Sequence, residues 1–323
     1  MEPLSTLPYC LATGVEAGRR ALHALCEADL APRLVLGYDK TLSHRSGYVD
    51  VAPVAAVHGL RVHETADING PDVLAVVRPL SLALLVVAGW SQIVNRDVLQ
   101  CFTRGAVGLH PTRLPEGRGR APIPWTLIKG ITTTAVSLFV LESDVDAGDI
   151  VAQFPIEVSL RDNAGSLYEK IADAHAAVLV ENIGKLVEGS AAVRPQEGTA
   201  TWWPRRRPDD GAIDWSSMTG EQVYNWIRGL SDPYPGAFST LPDGRRLTLW
   251  EADWIPSVHA PAGTVPGTIL GPVWSTAHGG LCVAAREGSL IVLRSVQVAE
   301  ESSRRDGLAL YELGVIREGE RLG

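Results

Sequence analysis

Cysteine is scarce in this chain, and its pattern argues against a common kind of metal site. The 323 residues include four cysteines, which occur singly and without a Cys-x-x-Cys pair. They are Cys10, Cys26, Cys101 and Cys282. Structural zinc sites usually combine paired cysteines with further cysteine or histidine at fixed spacing. We therefore predict no metal site and interpret the four thiols as reduced and mostly buried.

Long hydrophobic runs are also absent. The longest, Leu82–Ala88, has the length of a buried strand and falls well short of the roughly 20 residues that cross a bilayer. The N-terminal MEPLSTLPYCLATG has no basic segment followed by a clean apolar one, so it does not look like a secretion signal. These absences predict a cytoplasmic protein with no membrane partner.

Excess positive charge is missing as well. The chain has 29 Lys and Arg against 37 Asp and Glu, which gives a formal net charge of -8. Proteins that bind nucleic acids depend on clustered basic residues to neutralise phosphates. The basic segment PRRRP at 204–208 is too short to hold a tRNA by itself, and we interpret it as an exposed linker. The sequence therefore disfavours tRNA as a partner.

The first half of the chain alternates short apolar runs with amphipathic stretches of helix length. This alternation is typical of β-α-β units and predicts an α/β, Rossmann-like domain with a parallel sheet. Predicted strands are Arg33–Gly37, Leu82–Ala88, Ala106–Leu109 and Ala135–Leu141. Predicted helices are Gly18–Ala28, Val51–His58, Asn95–Phe102, Trp125–Lys129 and Ser166–Glu188. The segment ATGVEAG at 12–18 does not match the Gly-x-Gly-x-x-Gly pattern of a dinucleotide site.

The amino-acid composition changes near residue 200, where turn-forming residues accumulate. Beyond a short predicted helix at Gly220–Leu230, runs such as RRLTLWEADW and SLIVLRSVQV alternate with period two, which favours a small antiparallel barrel or sandwich. We therefore predict a catalytic domain at 1–198 and a β-rich domain with linker and tail at 199–323. The weakly apolar Leu308–Val315 is expected to form a peripheral strand or tail.

A lone histidine follows one predicted strand, and an acidic loop follows the next. His110 begins a Pro-, Gly- and Arg-rich stretch that extends to Trp125. Such a stretch buries too little apolar surface to offset the conformational entropy lost on ordering, which points to a ligand. If both strands are parallel, their carboxyl ends would bring His110 close to one of Asp144, Asp146 or Asp149. Such a pair suits general acid–base catalysis. The alternatives are a structural histidine and an ordinary turn.

Several motifs, in order along the chain, resemble the formyltransferases that use 10-formyltetrahydrofolate, a group that includes methionyl-tRNA and nucleotide-sugar formyltransferases. In the first domain they are AGWSQIV at 88–94, HPTRLPEGRGRAPIPW at 110–125 and LESDVDAGDIV at 141–151. In the second they are PRRRPDDGAIDW, IRGLSDPYPGAFS and GTVPGTIL. The resemblance implies that an OB-like barrel follows the Rossmann-like domain. It also implies 10-formyltetrahydrofolate as the donor of the transferred group.

The resemblance further implies a catalytic trio of Asn, His and Asp, of which two members match. His110 and Asp146 stand where the family has its His and Asp, whereas Gly108 replaces the Asn. Loss of an amide aimed at the developing oxyanion should lower the rate by roughly a hundred- to a thousandfold unless another group substitutes. A glycine would also open volume beside His110, which suggests a larger acyl group or a hydrolytic water as alternatives.

The donor and acceptor sites implied by the family fall on three further segments. The donor ring would pair with Gly89, Trp90, Ser91, Gln92, Ile93 and Val94, and be covered by Glu142, Ser143, Asp144 and Val145. The acceptor would lie against Arg118, Gly119, Arg120 and Pro122, whose RGRAP form resembles that of nucleotide-sugar formyltransferases. Guanidinium groups suit phosphate or carboxylate.

Three hypotheses remain open on the sequence. The first is formyl transfer to the amine of a small, sugar-like metabolite by the pair His110 and Asp146. The second, motivated by Gly108, is transfer of another acyl or imidoyl group or hydrolysis of an N-acyl amino sugar. The third is a non-catalytic binding module. The family resemblance also makes a homodimer an expectation.

Overall fold

A computed structural model describes residues 6–44, 47–274, 279–299 and 301–323 of the chain. Two compact units are present. The first comprises the chain to Pro122, Thr133–Glu157 and Tyr168–Pro204. The second comprises Ile123–Thr132, Val158–Leu167 and Arg205–Gly323. The division into domains at 198/199 stays a prediction, because two short earlier segments group with the second unit.

The strands of the first unit form a seven-stranded sheet and a small two-stranded one. They are β1 (Thr6–Ala12), β2 (Ala31–Tyr38), β3 (Val62–Thr65), β4 (Leu84–Ala88), β5 (Ala106–His110), β6 (Arg118–Gly119), β7 (Thr133–Val140), β8 (Ile150–Glu157) and β9 (Trp202–Trp203). The large sheet has the order β3-β2-β1-β4-β5-β7-β8, and β6 pairs with β9. The central strand β4 reads LLVVA and is buried throughout, as expected of a strand covered on both faces.

Helices lie between the strands of both units along the chain. They are α1 (Glu16–Glu27), α2 (Ala52–Val57), α3 (Pro71–Val77), α4 (Arg96–Leu99), α5 (Pro122–Ile128), α6 (Ala164–Glu188), α7 (Gly220–Leu230) and α8 (Gly307–Glu312). Short 3-10 turns lie at Lys40–Leu42, Arg78–Leu80 and Pro208–Gly211. The α7 boundary agrees with prediction because Thr219 and Gln222 form a reciprocal capping box. No helix among the described residues is long and apolar enough to span a bilayer.

The Rossmann-like α/β class is confirmed, but the sheet is mixed. Strands β1 to β5 run parallel to one another, whereas β7 is antiparallel to both of its neighbours, β5 and β8. The expectation that β5 and β7 run in the same direction is therefore wrong. The apolar pattern of a buried strand is the same in either direction, so the sequence could not distinguish the two.

The second unit is built on an antiparallel sheet. Its strands are β10 (Ala237–Thr240), β11 (Arg246–His259), β12 (Ile269–Trp274), β13 (Gly279–Ala284), β14 (Ser289–Val298) and β15 (Arg305–Asp306). They follow the order β10-β11-β14-β13-β12, and β15 pairs with β14. In the described residues β10 and β12 lie at the two ends of this order, so the closed OB-like barrel stays a prediction.

The C-terminal segment differs from expectation. It was predicted to be a peripheral strand or tail, yet α8 begins at Gly307, where the Asp306 side chain caps the Leu308 N–H. Leu310 and Ile316 are each 1% exposed and belong to the core of this unit. The stretch LALYELGV is a short apolar run whose period is ambiguous, and only packing fixes it as a helix. All four cysteines are free, and three are buried, as predicted.

Candidate active site

A cavity of about 250 Å³ opens where β4 and β5 end. It lies within the first unit, and its lining includes three segments that the sequence analysis singled out. They are the segment Gly89–Val94, the end of β5 with Gly108 and His110, and the loop Glu142–Asp146. Open α/β sheets place ligands at such an edge. The structure therefore brings three separated sequence motifs to one concave surface.

His110 is held by a backbone carbonyl that the sequence analysis did not identify. Its Nε2 lies 2.8 Å from the carbonyl oxygen of Gly117, and the residue is 7% exposed. A carbonyl can only accept, so Nε2 carries the proton that it donates there. Nδ1 is then the atom of the ring that is free to take up a proton, and it lies 3.6 Å from Oδ2 of Asp146.

Gly117 needs to be glycine for this arrangement. Its φ is +68°, and a Cβ would lie 2.8 Å from the ring of Trp203. The Gly117 N–H donates to Oγ1 of Thr201 at 2.8 Å. Thr201 and Trp203 therefore fix the peptide whose carbonyl orients His110.

Asp146 is held through both its side chain and its backbone carbonyl. Its Oδ2 accepts a hydrogen bond from the Gly119 N–H at 2.9 Å, and its carbonyl accepts one from Nε2 of Gln196 at 2.8 Å. The same Gln196 nitrogen also donates to the carbonyl of Gly148 at 2.8 Å. The carboxylate is mostly buried, with 14% of the side chain exposed. These contacts hold it facing the histidine.

The route by which Asp146 reaches His110 is not the predicted one. Because β7 is antiparallel, Val140 at its carboxyl end pairs with Val107 near the start of β5, and His110 pairs with Ser137. The loop after β7 must therefore fold back along β5 before β8 begins. Gly148 permits the tight return, since a Cβ there would lie 2.0 Å from the carbonyl of Val140. The predicted proximity exists, but through a folded loop and not through adjacent strand ends.

Gly108 lines the cavity together with His110, and the expectation that it opens volume there stays a prediction. A Cβ at this position would lie 2.7 Å from Cδ2 of Leu141 and 3.1 Å from the ring of Phe139. The two apolar side chains occupy the space into which a side chain at 108 would project. A water there would lack polar partners, which makes a hydrolytic water in that space unfavourable.

The side chains of Trp90 and Gln92 hold the segment Gly89–Val94 in place. The Trp90 ring contacts Tyr38 with centroids 4.1 Å apart, and Trp90 Nε1 donates to Gln92 Oε1 at 2.9 Å. Gln92 also accepts from the Ile68 N–H at 3.0 Å. The backbone N–H groups of Gln92, Ile93 and Val94 have no protein partner within the described part of the chain. They are available to a ligand.

The predicted acceptor residues separate into two pairs. Gly119 and Arg120 line the cavity, and the Arg120 guanidinium has no partner among the described residues. Arg118 and Pro122 do not belong to the described lining. The Arg118 guanidinium instead donates to Oε1 of Gln196 at 2.7 Å and lies 5.7 Å from the Trp202 ring centroid. Gln196 thus joins Arg118 to the Asp146 loop. No local sequence pattern predicts this contact.

The Rossmann-like sheet, with a cavity, a histidine and a carboxylate at its edge, places the chain in the class of α/β proteins that bind ligands at the carboxyl ends of their strands. Comparison with known families assigns the chain within that class: residues 34–183 match the family described as formyl transferase, and residues 206–304 match the formyl transferase C-terminal domain. The chain belongs to the formyltransferase family. The resemblance seen in the sequence motifs is confirmed.

Solved structures agree on the fold. HypX from Aquifex aeolicus in complex with tetrahydrofolic acid is 16% identical with a TM-score of 0.65, over 95% of this chain and 47% of that one. The chain thus spans about half the length of HypX. An N-formyltransferase from Helicobacter canadensis with folinic acid and dTDP-3-aminofucose is 14% identical with a TM-score of 0.63, over 89% and 98%. Methionyl-tRNA formyltransferase from Clostridium thermocellum is 21% identical with a TM-score of 0.55, over 79% and 96%.

Proposed function

We propose that this chain transfers a formyl group from 10-formyltetrahydrofolate to the amine of a small, sugar-like or nucleotide-sugar-like metabolite. The observation that carries the proposal is the 3.6 Å approach of His110 Nδ1 and Asp146 Oδ2 at the wall of the cavity. The sequence resemblance, which implies that these two residues stand where the family has its His and Asp, supports the proposal.

The residues of the cavity fit a reduced folate. Trp90, Leu99, Phe139 and Leu141 supply apolar walls, and the unpaired N–H groups of residues 92–94 supply donors for the edge of a planar ring. When bound, the folate would supply the formyl group. HypX and the Helicobacter canadensis enzyme were both solved with folate compounds, which supports this assignment.

His110 acts as general base in this proposal. As the acceptor nitrogen bonds to the formyl carbon, its proton passes to Nδ1 of His110. Nε2 keeps its own proton because it donates to the Gly117 carbonyl throughout. The resulting imidazolium is stabilised by the Asp146 carboxylate, which Gly119 and Gln196 hold in place. The bond between the formyl carbon and the nitrogen of the donor would then break, and that nitrogen would take the proton from Nδ1, so the ring ends as it began.

Arg120 is our candidate for binding the acceptor. It lines the cavity beside Gly119, and its guanidinium has no protein partner among the described residues. A planar guanidinium pairs well with phosphate or carboxylate. The dTDP-3-aminofucose in the Helicobacter canadensis structure carries phosphates and an amine, which supports a nucleotide-linked amino sugar over a tRNA. A homodimer and a cytoplasmic location stay predictions.

Other chemistry at Gly108 receives less support. Leu141 and Phe139 lie next to the position that a Cβ at residue 108 would take, so the space nearest to the glycine is apolar and does not favour a water. Folate-independent release of an acid from an N-acyl amino sugar is still the outcome that would identify hydrolysis. Folate binding without turnover of any amine would identify a binding module.

The experiment combines the purified chain with 10-formyltetrahydrofolate and a panel of nucleotide-linked amino sugars, followed by mass spectrometry. We expect a formylated product. His110→Ala should lower the rate by roughly a hundred- to ten-thousandfold while folate binding persists, because only the general base is removed. His63→Ala, whose ring pairs with Asp72 at 2.9 Å outside the cavity lining, is the matched control and should be active. Equal rates for His110→Ala and wild type would contradict the proposal.

A further inference from the structure

Three side chains with metal-binding atoms meet on the surface of the first unit, away from the cavity. They are His23 and Glu27, one turn apart on α1, and His58, directly after α2. One ligand atom from each, an imidazole nitrogen or a carboxylate oxygen, lies within 4.8 Å of the other two. The two imidazole centroids are 5.9 Å apart. We propose that these residues bind a divalent transition-metal ion of the Zn²⁺ type.

The donor set suits such an ion. Two imidazoles and one carboxylate are ligands that Zn²⁺ accepts, and a water can complete a tetrahedron. Zn–N and Zn–O bonds of about 2.1 Å require donor atoms about 3.4 Å apart. His23 and Glu27 are exposed and His58 is half-buried, so rotation of these side chains can close the remaining gap.

Helix ends add a second reason for a cation here. Glu27 is the last residue of α1, and His58 caps the end of α2. The carbonyl groups at a helix C-terminus carry partial negative charge, which favours cations and disfavours a carboxylate such as Glu27. The positive charge of a bound metal ion would offset the repulsion between Glu27 and the end of α1. The ion would also be attracted by the carbonyl groups at the end of α2. The backbone of His58 is held at this helix end, because its backbone N–H donates to the carbonyl of Ala55.

The position indicates a structural role. Strands β1 and β2 are parallel, so α1 runs from the carboxyl edge of the sheet back to the amino edge, where Glu27 lies. The cavity lies at the carboxyl ends of β4 and β5, at the opposite edge. The ion would join α1 to α2 and would not take part in formyl transfer. This inference is therefore independent of the proposed function.

Calorimetric titration of the metal-free full-length chain with Zn²⁺ tests the site. We expect saturable binding of one ion to this site, weakened by at least about tenfold in His23→Ala and in His58→Ala, since even the loss of an outer partner of a metal ligand has an effect of this size. His63→Ala serves as the control because it removes an imidazole paired with only one carboxylate, Asp72, and should bind as wild type does.

Thermal unfolding supplies a readout that does not depend on activity. An ion that binds only the native state raises the unfolding midpoint, so Zn²⁺ should raise it in wild type and His63→Ala but much less in the two ligand variants. Without Zn²⁺ all four proteins should unfold at similar temperatures, because the substituted side chains are not in the core. Absence of saturable binding, or equal Zn²⁺ affinity in wild type, His23→Ala and His58→Ala, would overturn the proposal.

Discussion

Two regions of the first unit each centre on a buried histidine, and they use it differently. His110 is 7% exposed, lines the cavity and has Nδ1 3.6 Å from a carboxylate. His175 is 3% exposed and lies within α6, and its Nδ1–H donates a hydrogen bond to the carbonyl of Ile171 at 2.8 Å. Burial, together with the nearby His110, lowers the pKa of His175 to about 4. Burial alone therefore makes a neutral structural histidine, whereas a cavity and a carboxylate make a candidate base.

Of the predictions that follow, the largest effect is expected from Asp146, the carboxylate that faces His110 and has no counterpart at His175. Asp146→Asn should lower kcat by roughly a hundredfold, because the imidazolium formed at His110 loses its counter-charge. The fold should persist, since the new amide oxygen can still accept from the Gly119 N–H and φ of +54° at this position suits Asn. Steady-state kinetics and thermal unfolding together check this. A kcat within threefold of wild type would show that Asp146 does not support the base.

His175 should affect stability where Asp146 affects rate. Its folded-state pKa of about 4 lies below the ordinary value of 6.5, so the unfolded chain binds the extra proton between these pH values. This residue's contribution is fully present above pH 6.5 and is lost as the pH falls towards 4. Between pH 7.5 and pH 5 the free energy of unfolding should fall by about 2 kcal/mol through this residue.

His175→Gln should remove that part of the pH dependence while leaving the rate at neutral pH near wild type. Urea unfolding of both proteins at pH 7.5 and pH 5 measures the difference. An identical pH dependence in the two proteins would contradict the assignment of His175 as a neutral buried residue.

The smallest expected effect concerns the support of the Asp146 loop. Gln196→Ala removes two hydrogen bonds to the carbonyls of Asp146 and Gly148, and frees the Arg118 guanidinium. We expect kcat to fall about tenfold as the carboxylate loses its position, consistent with the sensitivity of catalysis to small misplacements. Glu197→Ala, at the exposed neighbouring residue, is the matched control. Similar kcat values for the two variants would show that Gln196 does not position Asp146.

Elements with a strong local signal were predictable. The long helix predicted at Ser166–Glu188 is α6 at Ala164–Glu188, and Gly220–Leu230 coincides with α7, because helical periodicity and a capping box act within a few residues. The strands β1 and β8 were not predicted. β1 is interrupted in sequence by Pro8 and polar residues, and part of β8 is exposed, so neither gives a continuous apolar run.

The candidate site was predictable only as a set of motifs. His110, Asp146 and the 89–94 segment were identified from strand ends and family resemblance. Gln196, Thr201 and the carbonyl of Gly117 were missed, because a glutamine or a backbone group in a turn-rich segment has no distinctive pattern. His58 is likewise distant in sequence from His23 and Glu27, so the cluster proposed to bind metal is not visible along the chain.

The amino-acid sequence by itself determined the α/β class, the family, and which histidine and carboxylates to consider, since these follow from local periodicity and from ordered motifs. Only the tertiary structure decided that β7 is antiparallel, that Leu141 and Phe139 occupy the space beside Gly108, and which ring nitrogen of His110 faces Asp146. Those features depend on contacts between residues far apart in the chain. Strand direction, filled volume and hydrogen-bond partners are settled only when those distant segments pack together.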